Sequence, residues 1–248
     1  MKFFRDKLYE DITIPAPPKD DIGEAAEVKR LIANRTAEQE KSIADHDEVP
    51  FYAIKKYCDD NKMMFHKDEF KDIIYGATDT INYFKDKFDR KRPIEVDKTL
   101  DTSPSKTNKT PSYPSGHAAQ SRIVARYVAG KFPEHEANLI EAGNECGYGR
   151  VLAGFHYPSD YEAGNLLGEK MYKLMNKENY IKEMKTFKTF MESIIDIPRS
   201  TYAPGVFDGA DSKNPKIKSS VMKMIDKQVE DFEKEYPVLE VTLIGSIL

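Results

Sequence analysis

The sequence predicts an all-α protein, a helical bundle formed by one chain of 248 residues. Long stretches carry apolar residues at steps of three and four, the spacing that gives a helix one buried face. Runs that alternate between apolar and polar residues, as half-buried strands do, are scarce. Prolines and glycines stand between the periodic stretches, where they can end one helix before the next begins.

The first part of the chain is predicted to hold an extended start and three helices. Residues 14–18 contain three prolines, which exclude a helix and favour a polyproline conformation on the surface. Helices are then expected over about 21–44, over 46–61 with a break at Pro50, and over about 67–91, where Pro93 ends the last one. His46 and His66 belong to no motif, so both are expected at the surface.

The second part is predicted to hold a polar loop and further helices. The loop covers 94–114, and helices follow over 118–132, from Pro133 to about 154, and from Asp160 onwards. Two more amphipathic helices are expected in 177–248, and the tail 238–244 reads as a short strand or as a contact with a second chain. This organisation predicts one domain, with a main helical part at about 14–176 and a C-terminal helical extension at about 177–248.

Composition narrows the class of protein and of partner. Hydrophobic residues make up 40% and charged residues 32%, as in soluble globular proteins, and the net charge of -4 argues against a general nucleic-acid binder. No apolar run is long enough to span a bilayer, and the charged start lacks the apolar core of a secretory signal. We therefore expect a cytoplasmic protein (periplasmic or secreted if a leader has been removed) that acts on a small molecule, with no membrane or nucleic-acid partner. Homodimer formation is left open.

The end of the third predicted helix supplies two cations. Lys85 and Arg92 are seven residues apart, so on one continuous helix they would lie two turns apart on the same face. They would also border the apolar stripe that holds Ile81 and Phe88. Either cation alone is equally well explained as a surface base, but two on the edge of a buried stripe favour an anion site.

The turn Pro114–His117 leads into an apolar helix that is expected to begin at Ala118. Ser115 and Gly116 place a hydroxyl and unpaired backbone N–H groups at the positive end of that helix, where an anion binds well. His117 adds a group that can donate a proton near neutral pH. Taken alone, the turn is better explained as a helix cap with a solvated histidine.

A third group of residues surrounds the next helix boundary. Arg150 lies at a helix end, His156 follows in the turn, and Asp160 comes four residues later at the start of another helix. His156 and Asp160 are alternatively a helix-capping pair or half of a metal site. No Cys or His pair at ligand spacing is present to complete such a site, so no metal is expected.

Together the three groups suit a tetrahedral phosphate dianion. Arginine forks match pairs of oxygens, and lysine adds a point charge. A histidine oriented by a carboxylate acts as nucleophile or base, and a histidine at an anion turn acts as proton donor. The chemistry that these residue types favour is phosphoryl transfer to water, with cations in place of a metal.

The same segments resemble the three-part signature of the type 2 phosphatidic-acid phosphatase and vanadium haloperoxidase superfamily. The segments are Lys85-x6-Arg92-Pro93, Pro114-Ser115-Gly116-His117 and Arg150-x5-His156-x3-Asp160. Within it the chain is most similar to bacterial class A nonspecific acid phosphatases, through Ser112-Tyr113, the proline-rich start and residues 147–151. The resemblance covers roughly 14–176 and implies an all-α bundle.

The resemblance also implies a role for each residue. His156 would form a phosphohistidine, Asp160 would orient it, and His117 would protonate the leaving alcohol. The phosphoryl oxygens would be held by Lys85, Arg92, Ser115, Gly116 and Arg150. The family usually has serine before this arginine, whereas this chain has Gly149.

The resulting prediction is a metal-independent acid phosphatase that needs no cofactor and acts on phosphomonoesters, with an acidic optimum because His117 must be protonated while His156 is not. Three alternatives stay open. The same cage of cations would hold vanadate in a vanadate-dependent haloperoxidase, a lipid phosphate phosphatase would need membrane spans, and a non-catalytic helical protein would bind phosphate without turnover.

Overall fold

The computed structural model describes the backbone of residues 3–64, 67–195, 223 and 227, and it describes the side chains of residues 3–64, 68–176, 223 and 227. All the elements in these residues are helices, which confirms the predicted all-α class. They are α1 Asp21–Ala33, α2 Ala37–His46, α3 Tyr52–Asp60, α4 Lys67–Phe88, α5 Pro93–Val96, α6 Gly116–Lys131, α7 Glu136–Leu152 and α8 Pro158–Ile195, with 3-10 helices at Leu8–Asp11 and Pro133–His135.

The chain divides into two compact units, residues 1–173 and residues 174–248. The candidate site lies in the first unit. Residues 223 and 227 of the predicted last helix are described and are helical, while its other residues, the predicted strand in the tail and His66 fall outside the described residues.

The single helix predicted over 21–44 is in fact two helices, because the helical conformation is interrupted between Ala33 and Ala37. Thr36 caps α2 with a reciprocal pair of bonds. The Gln39 backbone N–H donates to the Thr36 hydroxyl at 3.2 Å, and the Thr36 backbone N–H donates to the Gln39 side-chain oxygen at 2.9 Å. This capping box satisfies backbone donors that a continuous helix would have bonded internally.

The predicted end of α4 was wrong by about one turn. The helix ends at Phe88, Asp89 adopts a left-handed φ of 42°, and Pro93 opens α5 instead of ending α4. Lys85 and Arg92 therefore do not share a helix face. Arg92 precedes α5, where its backbone N–H donates to the Glu95 carboxylate at 2.7 Å.

Helix α6 begins at Gly116, two residues earlier than predicted, with Ser115 as its N-cap. The Ser115 backbone N–H donates to the Asp160 carbonyl oxygen at 2.9 Å, so the start of α6 is bonded to the first turn of α8. Gly164 allows this approach, because a Cβ at that position would lie 2.5 Å from the Ser115 carbonyl oxygen. A residue with a side chain would not fit at this position, and glycine is therefore required.

The core that supports the site comes mainly from α4, α6 and α7. The apolar stripe predicted for α4 is buried at Phe70, Ile73, Ala77, Ile81 and Phe84, and α6 adds Ile123, Val124 and Val128. Burial of such side chains stabilises the fold by about 1.5–3 kcal/mol each. The last turns of α4 and α7 and the first turn of α6 carry polar residues of the candidate site.

Candidate active site

A cavity of about 610 Å³ gathers most of the residues that the sequence singles out. Six of the eight line its wall, namely Lys85, Arg92, Gly116, His117, Arg150 and His156. Ser115 and Asp160 are fully buried. Ser115 caps the helix that carries His117, and Asp160 contacts His156 directly. Residues from α4 to α8 therefore meet at one place, as the three motifs require.

His156 follows α7 and is held by the first turn of α8. Its Nδ1 lies 3.2 Å from Asp160 Oδ2 and 3.4 Å from the Ser112 hydroxyl. With Nδ1–H donating to the carboxylate, the lone pair is on Nε2, the other ring nitrogen. Burial lowers the pKa of His156 well below its usual value, and the nearby Arg92 and Lys85 lower it further, so the ring is neutral.

Asp160 receives an unusually complete set of donors for a buried carboxylate. The Tyr157 backbone N–H donates to Oδ2 at 3.0 Å, the Ser112 hydroxyl donates to the same oxygen, and Arg90 Nη1 donates to Oδ1 at 2.7 Å. Burial raises the pKa of Asp160, and the Arg90 charge with these hydrogen bonds opposes that rise. These donors favour the ionised form of Asp160, whose negative charge then lies beside His156.

Arg90 is a site residue that the sequence analysis missed. Its side chain is 2% exposed and also bonds two carboxylates of α1, Asp21 at 2.9 Å and Glu24. The guanidinium lies over the Tyr157 ring at 4.0 Å from the ring centroid. Arg90 thus connects α1 to the Asp160–His156 pair. Its position just before Arg92 was the only sequence signal.

Lys85 and Arg92 reach the cavity from different elements, and both are bonded to backbone carbonyls. Lys85 Nζ donates to the carbonyls of Pro111 and Ser112, the latter at 3.5 Å. Arg92 donates from Nε to Thr110 and from Nη1 to Phe155, each at 2.8 Å. Carbonyl oxygens orient these cations without cancelling their charge, so both remain able to attract an anion.

Burial and a neighbouring arginine lower the pKa of each of these two cations. Burial, with Arg92 close by, lowers the pKa of Lys85 to about 7. Burial and the neighbouring Arg150 lower the pKa of Arg92 to about 10. A cluster of like charges of this kind is stabilised when an anion binds between them.

Arg150, in the last turn of α7, uses only part of its hydrogen-bonding capacity within the protein. Nη1 donates to Asp47 Oδ1 at 2.7 Å and Nη2 donates to the Thr107 hydroxyl at 2.8 Å, while the guanidinium lies 4.5 Å from the centroid of the Phe155 ring. Its Nε is buried and has no hydrogen-bond partner among the residues that the structure describes. A buried donor without a partner is costly, so this N–H is suited to an oxygen ligand.

His117 lies in the first turn of α6, a helix whose sequence contains no Asp or Glu. Its Nε2 lies 3.0 Å from the backbone carbonyl oxygen of Asp47. Because a carbonyl only accepts, Nε2 carries the proton in this contact and Nδ1 is the nitrogen that can exchange one. Burial and the nearby Arg150 lower the pKa of His117 to about 3.

Asp47 and Ser112 are two further residues that sequence reasoning did not assign to the site. Ser112 was noted only as part of the family resemblance, and Asp47 lies in no motif. A related prediction was wrong: His46 is 2% exposed rather than on the surface. Its Nδ1 lies 2.7 Å from the Ser42 carbonyl and its Nε2 accepts from the Ala53 N–H at 3.2 Å, which joins α2 to α3 around Asp47.

The described part of the chain holds neither a cluster of metal ligands nor a helix that could span a membrane. Over residues 3–64 and 67–195, with 223 and 227, no three His, Cys, Asp or Glu side chains are grouped as metal ligands would be. Within the same residues, no helix has both the length and the apolar character needed to cross a bilayer. Cys58 and Cys146 are buried free thiols.

Comparison with known proteins gives partial matches. The sequence profile of the PAP2 superfamily matches residues 73–177. An acid phosphatase of Zymomonas mobilis is 35% identical over 92 residues, which are 36% of this chain and 35% of that protein. A non-specific acid phosphatase of Salmonella typhi is 42% identical over 57 residues, or 23% of each chain. The chain therefore spans about a third or less of the length of these curated relatives.

Among solved structures, one match is the crystal structure of the first transmembrane PAP2 type phosphatidylglycerolphosphate phosphatase from Bacillus subtilis. The match covers 66% of this chain and 88% of that one, with a TM-score of 0.46 and 15% sequence identity.

Proposed function

We propose that the chain is a metal-independent phosphatase of the PAP2 superfamily, whose profile matches residues 73–177, and that it hydrolyses phosphomonoesters through a phosphohistidine. The observation that carries the proposal is the grouping of two neutral histidines with Lys85, Arg92 and Arg150 on the wall of one cavity. The acid phosphatases that resemble this chain supply the class of reaction.

In the first step the substrate phosphoryl group enters between the cations. The Lys85 ammonium, the Arg92 guanidinium and Arg150 Nε bind its oxygens, together with the backbone N–H groups at the start of α6. These donors are already oriented by protein carbonyls and by Asp47, so little reorganisation is needed as charge develops on the oxygens. Ser115 and Gly116 contribute by forming the turn that exposes those N–H groups.

His156 Nε2 then attacks phosphorus. The nitrogen lone pair forms the N–P bond while the bond from phosphorus to the leaving oxygen breaks, and the proton of His117 Nδ1 passes to that oxygen. Asp160 stabilises the positive charge that develops on the His156 ring, because it accepts the Nδ1 proton in a hydrogen bond without removing it.

Water completes the cycle. Neutral His117 takes a proton from the water, whose oxygen attacks phosphorus, and the N–P bond breaks to return its electron pair to His156 Nε2. Inorganic phosphate leaves, and His117 is protonated for the next substrate. Cations supply the electrophilic stabilisation throughout, so no step requires a metal ion.

A bound anion reverses the effect of the cation cluster on the histidines. In the free protein, burial and Arg150 lower the pKa of His117, and a phosphoryl dianion close by would raise it. Lys85, whose pKa is about 7, is charged under acidic conditions and loses its charge as the pH rises above neutral. Both effects favour activity on the acidic side.

The rest of the cavity suits an organic leaving group. Away from the cations, its wall includes Phe51, Tyr52, Ile74 and Tyr75. Apolar and aromatic side chains bind the body of a small ligand, while the polar groups fix its orientation. We accordingly assign the substrate class as small phosphomonoesters whose alcohol or phenol carries apolar surface.

The decisive experiment traps the covalent intermediate. During turnover of p-nitrophenyl phosphate with excess chelator, quenched wild-type protein should carry a phosphoryl group that is stable in base and lost in acid, as a phosphohistidine is. His156→Ala should show neither this label nor hydrolysis, with an expected loss of at least about 10³-fold in kcat.

His135→Asn is the matched control, because His135 bonds Tyr57 and does not line the cavity. It should hydrolyse and label like the wild type. Equal hydrolysis rates for the wild type and His156→Ala would rule out the proposed mechanism, and so would a label that persists in His156→Ala.

A further inference from the structure

Asp47 lies in the connection between α2 and α3 and contacts both a cation and a histidine of the cavity. Its carboxylate oxygen Oδ1 accepts from Arg150 Nη1 at 2.7 Å. Its backbone carbonyl oxygen accepts from His117 Nε2 at 3.0 Å. Only 8% of the residue is exposed, and it lines the same cavity.

Asp47 is itself held firmly by the loop before the Pro114–His117 turn. The Ser105 hydroxyl donates to Oδ1 at 2.5 Å, the Lys106 backbone N–H donates to Oδ2 at 3.0 Å, and the Thr107 hydroxyl donates to Oδ1 at 3.1 Å. A carboxylate with this many donors has little freedom to rotate. Its position is therefore fixed by two separate segments of the chain.

These contacts also fix the plane of the Arg150 guanidinium. Nη1 is bound to Asp47 and Nη2 to Thr107, so two of the three nitrogens have protein partners. Nε is the nitrogen with no partner among the described residues. Because the guanidinium is planar and rigid, fixing two nitrogens determines where the third N–H points.

We propose that Asp47 is a positioning residue of the anion site. Its carboxylate holds Arg150 so that Nε–H faces the phosphoryl oxygens, and its carbonyl holds His117 so that Nδ1 exchanges the proton. The substitution of the carboxylate therefore affects anion binding, whereas the carbonyl contact to His117 survives. The inference rests on the proposed function for the identity of the anion.

The charge balance of the cavity agrees with this role. Lys85, Arg92 and Arg150 repel one another, and Asp47 offsets one of these three charges in the free protein. The contacts of Ser105, Arg150 and Lys106 hold the pKa of Asp47 well below its usual range against the opposing effect of burial. The carboxylate stays ionised in acidic solution, where the phosphatase is expected to work.

The first test measures binding of inorganic phosphate to full-length protein by titration calorimetry at pH 6. Asp47→Asn keeps the size of the side chain and the backbone carbonyl but removes the charge, and we expect about 10-fold weaker phosphate binding, the lower end of the effect of losing a charged hydrogen bond. The KM should rise accordingly, with kcat and its pH profile nearly unchanged. Asp97→Asn is the matched control, since Asp97 also caps a loop and pairs with a lysine but does not line the cavity.

The second test asks whether Asp47 acts through Arg150. In protein that already carries Arg150→Ala, adding Asp47→Asn should weaken phosphate binding no further. If Asp47→Asn melts too low for the titration, Thr107→Val replaces it, because it removes the closer of the two hydrogen-bond partners of Nη2 and should likewise weaken phosphate binding.

Two results would overturn the inference: phosphate binding by Asp47→Asn as tight as by Asp97→Asn, or losses from Asp47→Asn and Arg150→Ala that add in the double variant. The measurements do not depend on turnover. A wild type that binds phosphate but hydrolyses nothing would defeat the proposed function and leave the role of Asp47 tested by binding alone.

Discussion

At the scale of single residues, Arg90 connects the site to α1. It pairs with Asp160 and also with Asp21 and Glu24 of α1, and its side chain is 2% exposed. Of the three carboxylates only Asp160 is fully buried, so loss of Arg90 would leave that carboxylate without a counter-charge inside the protein.

We predict that Arg90→Met destabilises the protein by about 3–5 kcal/mol, because it leaves the carboxylate of Asp160 buried and unpaired. Burial would then raise the pKa of Asp160 further, and a protonated Asp160 would support His156 poorly. We expect kcat to fall on the order of 10- to 100-fold, as it does when partners that orient other functional histidines are removed. Urea unfolding and steady-state kinetics measure the two effects.

Arg126→Met is the control for this prediction. Arg126 also pairs with two carboxylates, Glu136 and Glu169, but its side chain is 29% exposed and does not line the cavity. It should lose about 1 kcal/mol or less and keep its activity. Equal losses of stability from both substitutions would show that burial of the Arg90 pairs has no special weight.

The site could be predicted from the sequence only where motifs mark it. Lys85 and Arg92 were correctly grouped, but for a reason that the structure contradicts, since the shared helix face does not exist and backbone carbonyls orient both cations instead. Asp47 and Arg90 contact the predicted residues across long chain separations. Nothing local in the sequence signals such contacts, because they arise only when α1, α2 and α7 pack together.

At the scale of elements, the junction of α6 and α8 determines the geometry of the site. α6 carries His117 in its first turn, and the first turn of α8 carries Asp160. The closeness of the two helices depends on Gly164, where a Cβ would lie 2.5 Å from the Ser115 carbonyl oxygen and 2.8 Å from the Ala118 Cβ. Backbone atoms cannot yield at that distance without moving the turn.

We predict that Gly164→Ala lowers stability by about 1–3 kcal/mol, the usual cost of overpacking, and also lowers kcat/KM by separating the two helices at the site. Gly168→Ala is a matched control one turn further along α8, where a Cβ would lie 2.7 Å from the Ala119 carbonyl oxygen. Both variants should melt earlier, but only Gly164→Ala should lose activity beyond its loss of folded protein. An active Gly164→Ala would contradict this account of the junction.

The helices themselves were largely predictable, and their ends were less so. The apolar stripe of α4 was correct because residues at three- and four-residue steps must face the core together. The break between α1 and α2 was missed although Thr36 and Gln39 form a recognisable capping box, since the apolar pattern continues across it. The end of α4 was missed because Asp89 takes a left-handed conformation that proline-based reasoning does not anticipate.

At the scale of the whole first unit, neutral buried histidines link stability to pH. Burial lowers the pKa of His46, and burial with nearby cations lowers the pKa values of His117 and His156. In the unfolded chain each of them titrates near about 6.5. Below that pH the unfolded state binds more protons than the folded state, so the free energy of unfolding decreases as the pH falls.

We predict that the Tm of the phosphate-free protein falls between pH 7 and pH 5, and that inorganic phosphate restores part of the loss, since a bound anion favours protonated imidazoles. His117→Asn removes one of the titrating groups and should make the pH dependence of Tm shallower. Differential scanning calorimetry at several pH values checks both. A Tm that does not change between pH 7 and pH 5 would show that these rings are not buried in the neutral form.

The hydrogen bond from the Ser115 N–H to the Asp160 carbonyl has a mechanical consequence for how substrates enter. It couples the backbone beside the proton donor to the backbone beside the residue that supports the nucleophile, so these two parts of the machinery shift as one rigid piece. Any widening that admits a larger ester must therefore come from another part of the cavity wall, the apolar part that contains Phe51, Tyr52, Ile74 and Tyr75. Different parts of the cavity wall thus align the catalytic residues and admit the substrate, so substitutions that change substrate size need not disturb catalysis.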